Sequence, residues 1–477
     1  MGGVVPRGVV GSLLIAVGGF CYDRLPHGTW MDRVPALWAV RHSAHPEAWG
    51  LTLSIAGLLL LTWAWWDLRR DVRRGGAGLR HVHVAAGAWA APLVLAPPLF
   101  SGDGWSYVAT GALTGRGLSP YLWTPAALPT PLRSGVAPHW LFTPSPYGPL
   151  SLAWGGLLSH VTGDPWTLLT WYRLLSVLSL VLLAWAVPVV ARRAGRDPVD
   201  ASALVIASPF VLVHGIGGLH NDLTVAAVVL AAVAVTRRGR WLPGALLVGV
   251  AAAVKAPGLL GAVGVVLVSL GPQASRLSRL LRSVLVGATA LVVLLATGWL
   301  TGLGTGWVHA LVVPEGERTQ LAITWVAGRW IRDLLLHAGP WGVGAVHDVH
   351  PAQLAKKLGL VLLVLTAAWT TLVRRTGSAA RALSGAGLVL LAAVVLSPAG
   401  HYWYFLWCVP LLACLPLRRP ASAALLAAIV TLGLTAPADA ALRKVWLMDW
   451  SALAVVLVPV VAWAVVAAQE RRPARAP

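Results

Sequence analysis

Asp103 lies in Ser101-Gly-Asp-Gly-Trp-Ser-Tyr107, where an apolar run gives way to a stretch rich in proline and aromatic residues, in a chain with only 17 Asp and Glu among 477 residues. A lone carboxylate at a membrane surface suits general-base work: it can take the proton of an acceptor hydroxyl as that oxygen attacks an activated carbon. The plainer reading is an N-cap for a helix starting at Trp105. Lys255, followed by Ala256 and Pro257, offers a cation for a lipid-linked phosphate, or else a lysine snorkelling from a helix end. His220, Asn221 and Asp222 form a second polar group. They suit a turn that caps a helix from Leu223, a duty compatible with a place in a site. No further His or Cys at ligand spacing accompanies them, so a zinc site is not expected. An oxygen-ligated divalent ion stays open.

Trp140, Phe142 and Tyr147 alternate with Pro144, Pro146 and Pro149. Rigid aromatic faces in such a setting suit the apolar faces of sugar rings or the neck of a lipid, and an aromatic belt at the membrane interface is the alternative. His401 and Trp403, within His401-Tyr-Trp-Tyr404, carry the same two readings. Neither a nucleotide-binding glycine motif nor a Walker lysine occurs, so the energy for a reaction comes in an activated donor or from a gradient.

The elements that hold these groups follow from composition. With 57% hydrophobic and 11% charged residues and a mean hydropathy of +0.73, the chain lacks the polar surface a soluble globule of this length needs. Apolar runs of spanning length recur from Val9 to Ala468 without strand alternation, so the fold is expected to be all-α and polytopic. The net charge of +20 does not point to nucleic acid, because the basic residues sit in short loops between apolar runs: Arg69 to Arg80, Arg192 to Arg196, Arg237 to Arg240, Arg276 to Arg282, Arg374 to Arg381, Arg418-Arg419 and Arg471 to Arg475. By the positive-inside rule these loops and both termini are cytoplasmic, and the Asp103 loop faces outward. Cys21, Cys408 and Cys414 are too scattered for a disulfide framework and are expected as packing residues. No small-residue cleavage pattern follows the first apolar run, so it is expected to be the first span. Thirty-three Arg against four Lys, with heavy Ala and Gly usage, hints at a GC-rich bacterium such as an actinomycete.

Returning every basic loop to one side gives about fourteen spans. Residues 1–80 hold two leading spans, and 81–303 a core that includes an outer loop over 100–147. A second outer loop covers 304–354, and C-terminal spans fill 355–477. Seven prolines from Pro120 to Pro146 stiffen the first loop. The short piece Leu150 to Val161 is expected to be interfacial or half-inserted, and Gln320 to Leu336 an interfacial helix.

At these residues the chain resembles the polyprenol-phosphomannose-dependent α-1,6-mannosyltransferases of actinobacteria, membrane glycosyltransferases of the GT-C class. The motifs that carry the resemblance are Pro97-Pro-Leu-Phe-Ser-Gly-Asp-Gly-Trp-Ser-Tyr107, Gly117-Leu-Ser-Pro-Tyr121, Pro144-Ser-Pro-Tyr-Gly-Pro149, the helix bearing Arg173, Gly218-Leu-His-Asn-Asp222, Val254-Lys-Ala-Pro257 and Tyr402-Trp-Tyr-Phe-Leu-Trp407. The resemblance implies a polyprenyl-phosphate sugar donor, a glycolipid or mannan acceptor and a plasma-membrane enzyme of cell-envelope lipomannan synthesis with an extracytoplasmic site. It implies no cofactor. Asp103 would be the catalytic base of an inverting displacement. Lys255, Arg173 and Arg329 would stabilise the departing phosphate, and His220, Asn221, Asp222, Tyr107, Tyr121, Trp140, Tyr147, His401 and Trp403 would shape the sugar subsite. After the Asp the family pattern carries a hydrophobic residue and Tyr, where this chain has Gly104 and Trp105.

Transfer of arabinose or glucose from a polyprenyl phosphate is an alternative within the same class. A transporter or flippase of lipid-linked glycans is an alternative outside it, and would be expected to show an internal repeat and charges spread through central helices. Here the polar groups gather toward one face.

Overall fold

The computed structural model describes residues 2–313, 319, 321–339, 346, 349–374, 378–440 and 445–471. Among them helices account for all the regular structure, and one isolated bridge joins Arg237 and Arg240. Among the described residues seven helices are long and apolar enough to cross a membrane, from Val4–Tyr22 to Met448–Glu470, and an eighth is counted if the pair broken at Gly218–Asn221 is one span. Their outward faces are apolar: on Arg276–Leu300, Leu281, Val284, Val292 and Trp299 are all exposed. Such a surface is solvated by lipid and not by water, so the protein is integral to the membrane.

About fourteen spans were expected; beside the long helices stand shorter apolar ones, Leu242–Val254, Ala256–Ser269 and Arg419–Leu434. Several apolar segments are interrupted close to a proline, which has no N–H to continue the helical ladder. The segment near 201–217 becomes Pro198–Val205 followed by a π-helical stretch, Val211–Gly217, with Pro209 at the break. The segment from Ala256 begins as a 3-10 turn through Pro257, and Tyr402–Trp407 is a 3-10 helix ahead of Pro410. Within the expected outer loop, Asp103–Gly115 is a helix of 13 residues that begins at Asp103 itself, two residues before the expected start. Pro149–Ser159 is the short helix foreseen near 150–161, and Ile323–Leu336 the one foreseen near 320–336.

The chain divides into two compact units, each built from distant segments. One comprises 1–104, 187–220 and 412–477. In it Val4–Tyr22 crosses Pro46–Arg73 through small residues: a Cβ on Gly57 would lie 2.5 Å from Gly11 O, and one on Gly11 2.8 Å from Leu61 N. Close backbone approach of this kind replaces the hydrophobic drive that lipid removes. Trp65 Nε1 donates to Ala203 O at 2.8 Å, and Asp200 takes Arg69 and Arg196. Leu99 N donates to Gly217 O at 2.9 Å, which ties the strand of chain before Asp103 to the one before His220.

The other unit comprises 105–186 and 221–411. Gly111 meets Gly155 so closely that an added Cβ would lie 2.8 Å from Gly155 Cα, and Tyr172 Oη donates to Ser151 O at 3.1 Å. Leu242–Val254 packs on Arg276–Leu300 at Gly249, and Ile323–Leu336 packs on Pro351–Ala368 at Gly328. The Ile323–Leu336 helix keeps Ile323, Trp330, Ile331 and Leu334 exposed, as an interfacial helix would. All three cysteines are buried.

Candidate active site

In the first unit, Asp103 opens its helix with its backbone N–H donating to Ser101 Oγ at 3.1 Å. Its Oδ2 lies 3.4 Å from His220 Nδ1, with the imidazole side chain 1% exposed and the carboxylate 9%. Behind His220 stands His214, ring centroids 6.2 Å apart. His214 Nε2 is 3.0 Å from Leu432 O, and because a carbonyl only accepts, that nitrogen carries the hydrogen. A carboxylate backed by an imidazole can accept a proton and keep its orientation while doing so.

In the second unit, Lys255 Nζ donates to both oxygens of Asp222, at 2.9 and 3.0 Å, and Trp407 Nε1 donates to Asp222 Oδ1 at 2.7 Å. Asp222 is fully buried. Three aromatic rings face the ammonium: Tyr404 at 4.6 Å, and Tyr147 and Trp407 each at 5.7 Å. An ammonium has three hydrogens, so two bonds to Asp222 leave one for a ligand. The motifs around it interlock. Gly148 N donates to Val254 O at 2.9 Å, with Gly148 so close to Ala253 O that no Cβ fits. Ser145 N donates to Pro120 O at 2.9 Å, and Tyr121 Oη to Tyr147 O at 2.9 Å. Burial holds the Tyr121 phenol well above its usual range, so it remains a donor. Pro144 to Pro149 and Gly117 to Tyr121 thus position the ring of Tyr147 over Lys255.

Tyr107 extends this aromatic group, at 4.8 Å from Tyr147 and 5.7 Å from Tyr172, and Trp140 lies 6.3 Å from Tyr147. Asn221 N donates to Tyr107 Oη at 3.5 Å. The Asn221 side chain is buried, and both its Oδ1 and Nδ2 find no hydrogen-bond partner among the described residues. His401 stacks on Trp403 at 4.4 Å and meets Tyr404 edge-on at 5.1 Å. Arg173 is buried on Pro165–Ala194, directly after Tyr172. Arg329 is half-buried on Ile323–Leu336 and makes no hydrogen bond or ion pair among the described residues.

Two residues missing from the expected site, Tyr404 and Trp407, make the Lys255 cluster. Their pairing depends on local backbone geometry: a 3-10 helix eclipses positions i and i+3, so Tyr404 and Trp407 share one face, and their rings stack at 4.4 Å. Among the described residues no three of His, Cys, Asp and Glu gather as a metal site would require.

The helical fold and its apolar outward faces define a class, the polytopic membrane protein. A family model described as "Alpha-(1->6)-mannopyranosyltransferase, N-terminal domain" matches residues 5–271, and one described as "MptB C-terminal domain" matches residues 340–468. Alpha-(1->6)-mannopyranosyltransferase A of Mycobacterium tuberculosis is 31% identical over 88% of this chain and 81% of its own. A probable alpha-(1->6)-mannopyranosyltransferase of Mycolicibacterium smegmatis is 27% identical over 90% and 82%, and alpha-(1->6)-mannopyranosyltransferase B of Corynebacterium glutamicum 26% over 84% and 71%. The chain belongs to this actinobacterial alpha-(1->6)-mannopyranosyltransferase family and is a hexosyltransferase. No solved structure matches it.

Proposed function

We propose that the protein moves mannose from a β-linked polyprenyl-phosphate donor to a hydroxyl of an α-mannoside acceptor, with inversion to an α-(1->6) linkage, on the extracytoplasmic face of the plasma membrane. The product would enter lipomannan or a related envelope glycan. The names of the relatives support the sugar and the linkage. The observation that carries the mechanism is the buried pairing of Asp103 with His220 at 3.4 Å. Asp103 accepts the acceptor's proton while that oxygen bonds to C1 of the donor mannose. The bond from C1 to the phosphate oxygen breaks, and its electrons leave on polyprenyl phosphate. Lys255 donates a hydrogen bond from its remaining N–H to that phosphate, an electrostatic task for a fixed cation, and Arg173 and Arg329 are further cations for it. Tyr107, Tyr121, Trp140, Tyr147, His401 and Trp403 supply apolar faces and hydroxyls for sugar binding. Asn221, whose amide finds no hydrogen-bond partner among the described residues, fits a pair of neighbouring sugar hydroxyls, and Asp222 holds Lys255 in place.

Transfer assays with purified protein and polyprenyl phosphates of mannose, glucose and arabinose test the donor. Mannose transfer is expected at a kcat/KM at least about tenfold above the others, since a site built on hydrogen bonds to sugar hydroxyls rejects a sugar that misplaces them. Preference for arabinose or glucose would overturn the choice of sugar. Orientation has its own test. Thr130 is exposed and the three native cysteines are buried, so Thr130→Cys in intact cells should react with an impermeant thiol reagent while the parent protein does not. Labelling only after lysis would put the loop, and with it the proposed site, on the cytoplasmic side.

A further inference from the structure

We propose that His220 is a positioning residue for the Asp103 carboxylate, and that strained backbone at Phe100 and Leu219 holds the pair in place. The proposal rests on the reading of Asp103 as the base. Among the described residues three that are not glycine have positive φ: Phe100 at 60°, Leu219 at 59° and His350 at 47°. Two of the three lie at the pair, Phe100 three residues before Asp103 and Leu219 directly before His220. A bulky side chain in the left-handed region is disfavoured, because its Cβ crowds the following carbonyl oxygen. Such strain persists only where the surroundings over-determine the conformation, and it concentrates at functional sites.

The surroundings do so here. Phe100 is buried and its ring stacks on Tyr22 at 6.3 Å, with an interplanar angle of 25°. Its neighbour Leu99 bonds Gly217 through the backbone and seats its side chain where Gly19 has no Cβ. Leu219 is equally buried, and with Pro98 it closes over Gly104: a Cβ on Gly104 would lie 2.5 Å from Pro98 Cγ and 3.3 Å from Leu219 Cδ2. This explains the glycine that follows Asp103 in this chain. His220 N donates to His214 O at 3.3 Å and Gly218 N to Val213 O at 2.6 Å, so the π-helical turn fixes the backbone that delivers the imidazole. His220 is buried, with 1% of its side chain exposed, and its Nδ1 lies 3.4 Å from Asp103 Oδ2. Its role is therefore exerted through Asp103.

Purified full-length variants test this. Asn in place of His sets an amide nitrogen near the position of Nδ1, and Gln sets one near Nε2. His220→Asn is expected to keep kcat within about fivefold of wild type, while His220→Gln and Leu219→Ala lower it by about 10–100-fold, the scale of a 1 Å misplacement, with KM within about twofold in each. A rise in KM with kcat unchanged in His220→Gln would place His220 in the sugar subsite and overturn the proposal. Equal kcat values for the Asn and Gln variants would also overturn it. If Asp103→Asn is inactive while His220→Gln keeps wild-type kcat, only this inference fails. If Asp103→Asn is fully active, the reading of the base fails first.

Discussion

Asp103→Asn is expected to lower the rate of sugar transfer by about 10²–10⁴-fold, the contribution of a positioned general base, with the protein still folded. Asn has nearly the shape of Asp, and the backbone bond to Ser101 Oγ does not depend on the carboxylate. The side chain remains at the end of the Asp103–Gly115 helix, but its amide cannot accept a proton at any useful rate. Turnover by membranes carrying equal amounts of each protein measures the effect, and the elution profile of the detergent-purified variant reports folding. Loss of activity together with aggregation would show a structural carboxylate. Retained activity would remove Asp103 from the mechanism.

The second large effect concerns the Asp222–Lys255 pair. Lys255→Met leaves the fully buried Asp222 with the Trp407 indole as its remaining donor among these contacts. Breaking a buried pair by removing one partner costs about 3–5 kcal/mol, because a charge is left uncompensated. The single variant should therefore show a much lower apparent melting temperature in detergent. Adding Asp222→Asn removes the stranded charge, so the double variant should recover most of the stability. Transfer activity should not recover, because the cation for the donor phosphate is still absent. Full activity in a restabilised double variant would mean that Lys255 serves the fold alone.

The sequence made the helical membrane fold legible because bilayer crossing leaves its mark in composition, and the ordered motifs singled out Asp103, Lys255 and Asp222. Pairings within the motifs were less accessible. His220 and Asp222 are two residues apart in the chain, yet one lies against Asp103 and the other against Lys255. Polar residues in a short turn have no periodicity to show which way each points. The broken segments near Pro209, Pro257 and Pro410 escaped hydropathy because an apolar run looks the same whether it is one helix or two short turns. Tyr404 and Trp407 were hidden in the same way, since their shared face depends on a 3-10 geometry that composition does not announce. The strain at Phe100 and Leu219 has no signature in residue type, because Phe and Leu are ordinary packing residues until the backbone around them is known.

The most direct measurement is a reaction of the purified protein with β-linked polyprenyl phosphomannose and an α-mannoside acceptor, followed by assignment of the new linkage by NMR. An α-(1->6)-linked product from wild type, and none from Asp103→Asn, is the expected result. A β-linked product, a requirement for a nucleotide sugar in place of the lipid donor, or equal product from both proteins would contradict an inverting transfer from a lipid carrier with Asp103 as its base.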